Sequence, residues 1–404
     1  MKYLFVACLL CLSVLSAVAK VPAMNKIRLT NNWEYLKGDL GGIWEAVRPA
    51  APGSSEAVPI WQPVTLPHCF NAEDAVDPDV NYYEGPGWYK TLLAIDNPYR
   101  NGRIVLDFDG AGQKTDVYVY TTHVGSHVGG YDSWNVDITD AVKAFLGSKD
   151  AERFKGKVPL SIRCDNSRDL EMIPSDLADF NIYGGLYRYL NLVYLPEVSF
   201  EQIHLESSLS SNLKEGILKV KTSFYNPEDI RKADVTVSVY DVDRKPVFSK
   251  TLEGILPLGD QLLAKMKIKN PVLWDVDVPQ LYTCELTVKT PDQTFTTEER
   301  FGFRHTEFKD KGPFFLNGKR LLLRGTHRHE DHAGVAQAMT EDMMRREMRM
   351  MKDMGVNFIR LGHYQQSEII LDLCDELGIL VWEEIPWCRG GLGGDVYKKQ
   401  ARRM

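Results

Sequence analysis

The chain has 404 residues, 44% of them hydrophobic, which gives enough apolar content for two to four domains with cores of their own. Its formal net charge is -7, with acidic and basic residues mixed along the length. No basic stripe is present, and this argues against a nucleic-acid-binding function.

In chain order, the first element reads as a processing segment. Lys2 supplies a positive start, Tyr3 to Leu15 an apolar run, and Ala17-Val18-Ala19 an A-x-A cleavage pattern before Lys20. The run is too short for a comfortable membrane span. We therefore expect residues 1–19 to be a signal peptide and the rest to be exported, periplasmic or extracellular, without a membrane span. Cleavage leaves five cysteines: Cys69, Cys164, Cys284, Cys374 and Cys388. They are odd in number, widely spaced and without C-x-x-C spacing, so buried thiols are expected rather than a disulfide scaffold or a zinc site.

Residues 20–197 read as all-β. Ile104, Leu106 and Phe108 alternate with Val105, Asp107 and Asp109, the period of a half-buried strand. Val117 and Val119 repeat it before a turn-rich stretch, Gly125 to Tyr131. A β zone of this length suits a jelly-roll sandwich. Residues 198–303 form a second β zone. Leu218, Val220, Thr222 and Phe224 share one strand face, as do Val235, Val237 and Val239, and later Tyr282, Cys284, Leu286 and Val288. Several short alternating strands in such a span predict an immunoglobulin-like sandwich.

From residue 304 the period changes. Strands are predicted over Leu321–Gly325, Val356–Leu361 and Ile379–Ile385. The first helix carries Met344, Met348 and Met351 at i, i+4, i+7, between Thr340 as N-cap and Gly355 as stop. The second carries Ile370, Leu373, Cys374 and Leu377 between Ser367 and Gly378. A β-α-β-α-β run with parallel strands is the start of an eight-stranded (β/α)8, or TIM, barrel. Met404 falls inside what reads as the next helix, so residues 304–404 are expected to form only the first three βα units of a truncated barrel. The methionine stripe is read as core packing.

Working residues of such barrels follow the strands. Here those positions hold Thr326-His327-Arg328-His329-Glu330-Asp331-His332, then Gly362-His363-Tyr364, then Glu383-Glu384-Ile385-Pro386-Trp387. Three chemistries fit the histidines. His327-x-His329 after a first strand suits a metal site, which needs further ligands from later strands. Strand-end histidines also serve simply to hydrogen-bond loops. Finally, imidazoles and carboxylates grip sugar hydroxyls.

The runs Arg324-Gly325-Thr326-His327-Arg328-His329-Glu330, Asn357-Phe358-Ile359-Arg360-Leu361-Gly362-His363-Tyr364 and Cys374-Asp375-Glu376-Leu377-Gly378 resemble glycoside hydrolase family 2, which includes β-galactosidases, β-glucuronidases and β-mannosidases. Upstream, Leu66-Pro67-His68, Gly85-Pro86-Gly87-Trp88-Tyr89, Gly129-Gly130-Tyr131 and the loop Asp179 to Arg188 resemble its sugar-binding domain. Leu273-Trp274, Pro279-Gln280-Leu281-Tyr282 and Phe301-Gly302-Phe303-Arg304 resemble its sandwich and exit. The resemblance implies a retaining exo-β-glycosidase, β-galactosidase-like, with a carbohydrate substrate. No cofactor is identifiable, and no metal is expected, because Pro386 to Gly391 departs from the family in carrying no carboxylate for its downstream metal site. It implies that Asp179, His329, Glu330 and His363 bind substrate, Glu330 by orienting neighbouring groups. For Asp179 a turn-capping role stays open, and Arg360 is free to be no more than an ion-pair partner of Glu383 or Glu384.

The family's acid/base, in an Asn-Glu motif after strand four, and its nucleophile after strand seven have no counterpart here, and the sequence contains no Asn-Glu dipeptide. Retention needs two carboxyls about 5–5.5 Å apart. Successive strand residues face opposite ways, so Glu383 and Glu384 do not make such a pair. We expect no catalytic residue within these residues and no turnover by them alone. The alternatives are a non-catalytic carbohydrate-binding protein, or one half of a split enzyme completed by a C-terminal chain. Homo-oligomers are common in the family.

Overall fold

The computed structural model describes residues 25–48, 60–174, 178–227, 229–387 and 393–404. The expected signal segment and Cys388 lie outside them. The other four cysteines are buried free thiols.

The N-terminal zone is two antiparallel sheets face to face. One runs Gln62–Val64, Trp33–Lys37, Pro86–Leu93, Val158–Asp165, Lys114–Val119 and Thr122–Val128 in spatial order. The other runs Asn25–Arg28, Leu190–Leu195, Arg103–Phe108 and Trp134–Asp137. Their inward residues, among them Trp33, Tyr89, Leu106, Phe108, Val117, Val119 and Ile162, share one core. The turn expected from Gly125 falls elsewhere. The chain reverses at Tyr120, at a φ of 54°, so that Val119 pairs with Thr122 and the strand continues to Val128.

The second zone packs a sheet of Ser199–Leu209, Glu215–Tyr225 and Gly259–Lys269 on one of Pro246–Ile255, Ala233–Tyr240, Tyr282–Lys289 and Thr294–Phe301. Burial in Glu215–Tyr225 alternates residue by residue, with Leu218, Val220 and Phe224 inward. This seven-strand arrangement is immunoglobulin-like in its layers.

In the third zone three strands pair in parallel: β1 (Gly325–Arg328), β2 (Phe358–Leu361) and β3 (Leu380–Glu383). Helices α1 (Glu341–Asp353) and α2 (Glu368–Leu377) connect them, and α3 (Asp395–Arg403) follows. Thr340 caps α1 by accepting from the Met343 N–H, Ser367 caps α2, and Gly378 ends α2 in the left-handed conformation. Met344 and Met348 pack with Ile359, Leu361, Ile370 and Leu373, as core.

The first strand starts later than the sequence suggests. Leu321 to Arg324 lie outside any strand because the Asn357 side chain takes their polar groups. Its Oδ1 accepts from Arg324 N–H at 2.8 Å, and its Nδ2 donates to Leu322 carbonyl at 3.0 Å. The register then sets His327, Arg360 and Trp382 side by side in one row across the sheet.

Both sandwiches clasp this sheet. Trp274 Nε1 donates to the Asp375 carbonyl at 2.8 Å, and Arg300 pairs with Asp372 and Glu376 on α2. The Glu171 carboxylate accepts from the Gly394 N–H at the start of α3, and Arg403 near its end pairs with Asp132.

Candidate functional site

His327 lies within β1, His329 just past its end, and His363 just past the end of β2. Parallel pairing brings the three imidazoles together, with ring centroids 4.9 Å apart for His327 and His329 and 5.3 Å from each to His363. Gly362 allows this approach, since a Cβ there would stand 2.2 Å from His327 Nε2.

Arg360 and Glu384 hold the group from one side. Arg360 Nε donates to Glu384 Oε1 at 2.6 Å, while its Nη1 and Nη2 stand 3.4 Å from His327 Nδ1 and 3.0 Å from His363 Nδ1. Glu384 Oε2 is 2.9 Å from His363 Nδ1. His363 Nδ1 stands between a carboxylate, which only accepts, and a guanidinium, which only donates. Arg360 thus pairs with Glu384, the partner allowed by the sequence, and also reaches two of the imidazoles.

Burial holds the His327 imidazole below the usual histidine range, helped by the Arg360 charge and His363 and opposed by Glu384. Burial does the same to His329, aided by its two histidine neighbours and opposed by Asp331 and Asp179. Burial pushes the Glu384 carboxyl up, but hydrogen bonds and charge from Arg360 and His363 outweigh it and hold it below its ordinary value.

Asp179 is exposed on the sandwich loop and acts electrostatically on His329. Its neighbour Phe180 forms the aromatic wall, with ring centroids 5.9 Å from His329, 6.0 Å from His363 and 5.2 Å from Tyr364. Tyr364 in turn stacks on Tyr131 at 4.0 Å.

Glu330, to which the resemblance gives the part of orienting neighbouring groups, is engaged by the protein itself. It is 0% exposed, with Oε2 on Arg188 Nε and Nη2 at 3.0 and 2.7 Å and Oε1 accepting from Ser367 N–H at 2.7 Å. Both oxygens are spent inside the protein, where they tie the segment after His329 to Arg188 and to the start of α2. The Glu330 N–H donates to Tyr364 Oη at 3.1 Å, which ties that backbone to the aromatic wall. The sequence assigned no individual part to Arg188, Phe180 or Tyr131, and to Glu384 only that of one partner open to Arg360. A buried glutamate demands a cationic partner, but nothing in the local sequence marks Glu330 as buried.

The arrangement offers hydrogen-bond donors and acceptors of both kinds beside an aromatic face, which suits a polyhydroxylated ring. Glu384, Glu330 and Asp331 are engaged by Arg360 and His363, by Arg188, and by Tyr183.

Three consecutive segments match known domain descriptions. Residues 40–196 match "Glycosyl hydrolases family 2, sugar binding domain", residues 198–304 "Glycosyl hydrolases family 2", and residues 307–394 "Glycosyl hydrolases family 2, TIM barrel domain". The apo structure of Bacteroides uniformis beta-glucuronidase 3 superposes with a TM-score of 0.90 at 58% identity, over 95% of this chain and 48% of that one. A putative beta-glucuronidase of Formosa agariphila is 38% identical over 94% of this chain and 43% of its own length. A beta-galactosidase of Thermoanaerobacterium thermosulfurigenes is 30% identical over 93% of this chain and 50% of its own length. The chain spans about half the length of the relatives it matches.

Proposed function

The chain belongs to glycosyl hydrolases family 2, and from that premise we propose that it forms the sugar-gripping wall of a retaining exo-β-glycosidase acting on terminal β-linked sugars. The observation that carries this is the union of three imidazoles, the Arg360–Glu384 pair and the Phe180 ring at the C-terminal end of parallel strands. His329 and His363 hold ring hydroxyls, Asp179 reaches them from the sandwich loop, and Phe180 covers an apolar sugar face. Glu330 acts as a positioning residue behind them.

A glucuronide is favoured over a galactoside because the relatives named beta-glucuronidase share 58% and 38% identity with the chain, against 30% for the beta-galactosidase. Cleavage with retention needs an acid/base and a nucleophile about 5–5.5 Å apart. The nearby carboxylates Glu330, Asp331 and Glu384 are each held by protein partners, so hydrolysis draws its carboxylate pair from outside these residues. The second sandwich and α2 brace the sheet that presents the imidazoles.

Calorimetric titration of the 404-residue chain with glucuronate and with galactose tests the pocket. Saturable binding, weakened about tenfold by His329→Ala and by Phe180→Ala, is expected, as befits loss of one directional contact or one stacking face. Binding that both variants leave intact would overturn the pocket. Robust hydrolysis of chromogenic glucuronides by these residues alone would overturn the need for outside carboxylates.

A further inference from the structure

We propose that His327, His329 and His363 form a three-imidazole site for a divalent transition metal of the zinc, cobalt and nickel class, seated at the mouth of the parallel sheet. Among the described residues, this is the group of three metal-ligating side chains whose candidate ligand atoms all lie within 4.8 Å of one another.

The donor set fits such an ion. Neutral imidazole is the preferred nitrogen ligand of borderline-soft divalent metals, and three protein ligands leave a fourth position open. A zinc ion with Zn–N of about 2.0–2.1 Å holds its nitrogens roughly 3.4 Å apart, so the widest pair must close by on the order of 1 Å. That closure calls for rotation of the imidazole rings. His327 is exposed, and His329 and His363 are half-buried.

Glu384 supplies what a ligating histidine ordinarily has behind it. Its Oε2 stands 2.9 Å from His363 Nδ1, the place of the carboxylate that orients a ligating imidazole. Glu384 also neutralises Arg360, the cation that would otherwise oppose a dication beside His327 and His363. Gly362 keeps His327 close to the turn that carries His363. His327 is the decisive member, because the two sugar-gripping histidines alone make only a two-ligand site.

The ion would occupy the space given above to the sugar hydroxyls, so metal and sugar exclude one another. That exclusion rests on the sugar-pocket reading, whereas the metal site does not.

Titration of the chelator-stripped chain with ZnCl2 by calorimetry, and with CoCl2 by visible absorption, decides the matter without any sugar present. One equivalent of saturable Zn2+ binding is expected, with the intense visible bands of tetrahedral Co2+. His327→Asn and His363→Gln are each expected to weaken it at least tenfold. Absence of one-equivalent binding, or a His327→Asn/His363→Gln double variant that keeps its melting temperature and binds as before, overturns the site. If the variants fail to fold, the wild-type Co2+ spectrum still decides, since a spectrum that stays that of the free hexaaqua ion overturns a three-imidazole centre. Added glucuronate is then expected to raise the apparent Zn2+ dissociation constant. An unchanged constant overturns the exclusion while the metal site stands.

Discussion

Arg188 and Glu330 meet as a fully buried ion pair, one residue from the first sandwich and the other from the segment leaving β1, with Nη2 2.7 Å from Oε2. The remaining valences are also met. Arg188 donates to the carbonyls of Tyr131 at 2.9 Å and Gln365 at 2.6 Å, and Glu330 accepts from Ser367 N–H, the N-cap of α2. Removing one partner of such a pair leaves the other charge buried without compensation, which costs about 3–5 kcal/mol. Glu330→Gln and Arg188→Met are each expected to lower the urea midpoint by that order. The double variant should be destabilised by less than the two combined, because it buries no lone charge. Strict additivity would show that the pair is not coupled.

Much of this fold was legible in the sequence, because its signals are periodic. Residues Leu218 to Phe224 alternate in and out, and Met344 and Met348 fall on the buried face of α1, as their spacing demands. The helix ends were legible too, since Thr340, Ser367 and Gly378 have a local chemistry that needs no tertiary context. What failed was non-local. The start of β1 is decided by the Asn357 side chain, 33 residues from Arg324, and the buried state of Glu330 by Arg188, 142 residues away. At the site, strand-end position brought out His329 and His363. The stacking of Phe180 and the clamp of Glu384 depend on loop paths that no period encodes.

Gly378 ends α2 at a φ of 71°, and a Cβ added there would stand 2.4 Å from the Val276 carbonyl oxygen of the second sandwich. That oxygen also accepts from Lys352 Nζ on α1 at 2.6 Å, so the contact is part of the seam between sandwich and helices. Gly378→Ala is expected to cost left-handed strain of about 1 kcal/mol plus the clash, and so about 2–3 kcal/mol together. Gly334 provides the control. Its φ is 84°, and an added Cβ meets nothing within 4 Å, so Gly334→Ala should cost only the backbone strain. Equal losses in thermal melts of the two variants would show that the Val276 contact is slack.

His68 sits with its Nδ1 2.9 Å from Tyr89 Oη and its ring against Tyr35, and burial holds its imidazole down at about 4. The unfolded chain takes up that proton near the ordinary value of about 6.5. Between those two points the unfolded state binds more protons, so stability rises with pH through the window and is lost as pH falls from about 6.5 to 4. Each unit of separation is worth about 1.4 kcal/mol, giving a loss on the order of 2–3 kcal/mol after allowance for partial exposure. A His68→Asn variant should show a flatter profile over this window in denaturant titrations at stepped pH. A profile as steep as that of the wild type would place the acid sensitivity elsewhere.

Asp109 works in the opposite direction over nearly the same window. Burial pushes its carboxyl up to about 6, with Asp107 and Glu368 adding repulsion and Lys26 relieving part of it. In the unfolded chain the group ionises near 3.8, so between about 4 and 6 the folded state holds the extra proton. Stability from this group is therefore lost as pH rises through that range, and at pH 7 the ionised carboxylate remains a net cost on the order of 1–2 kcal/mol. Asp109→Asn keeps the shape and removes the charge. It is expected to raise the melting temperature at pH 7 and to leave it unchanged near pH 4, where the wild-type group is already neutral. Because His68 and Asp109 oppose one another, the variant should also steepen the overall acid limb, exposing the full His68 slope. A lower melting temperature at pH 7 would mean that the attraction of Lys26 exceeds the cost of burial.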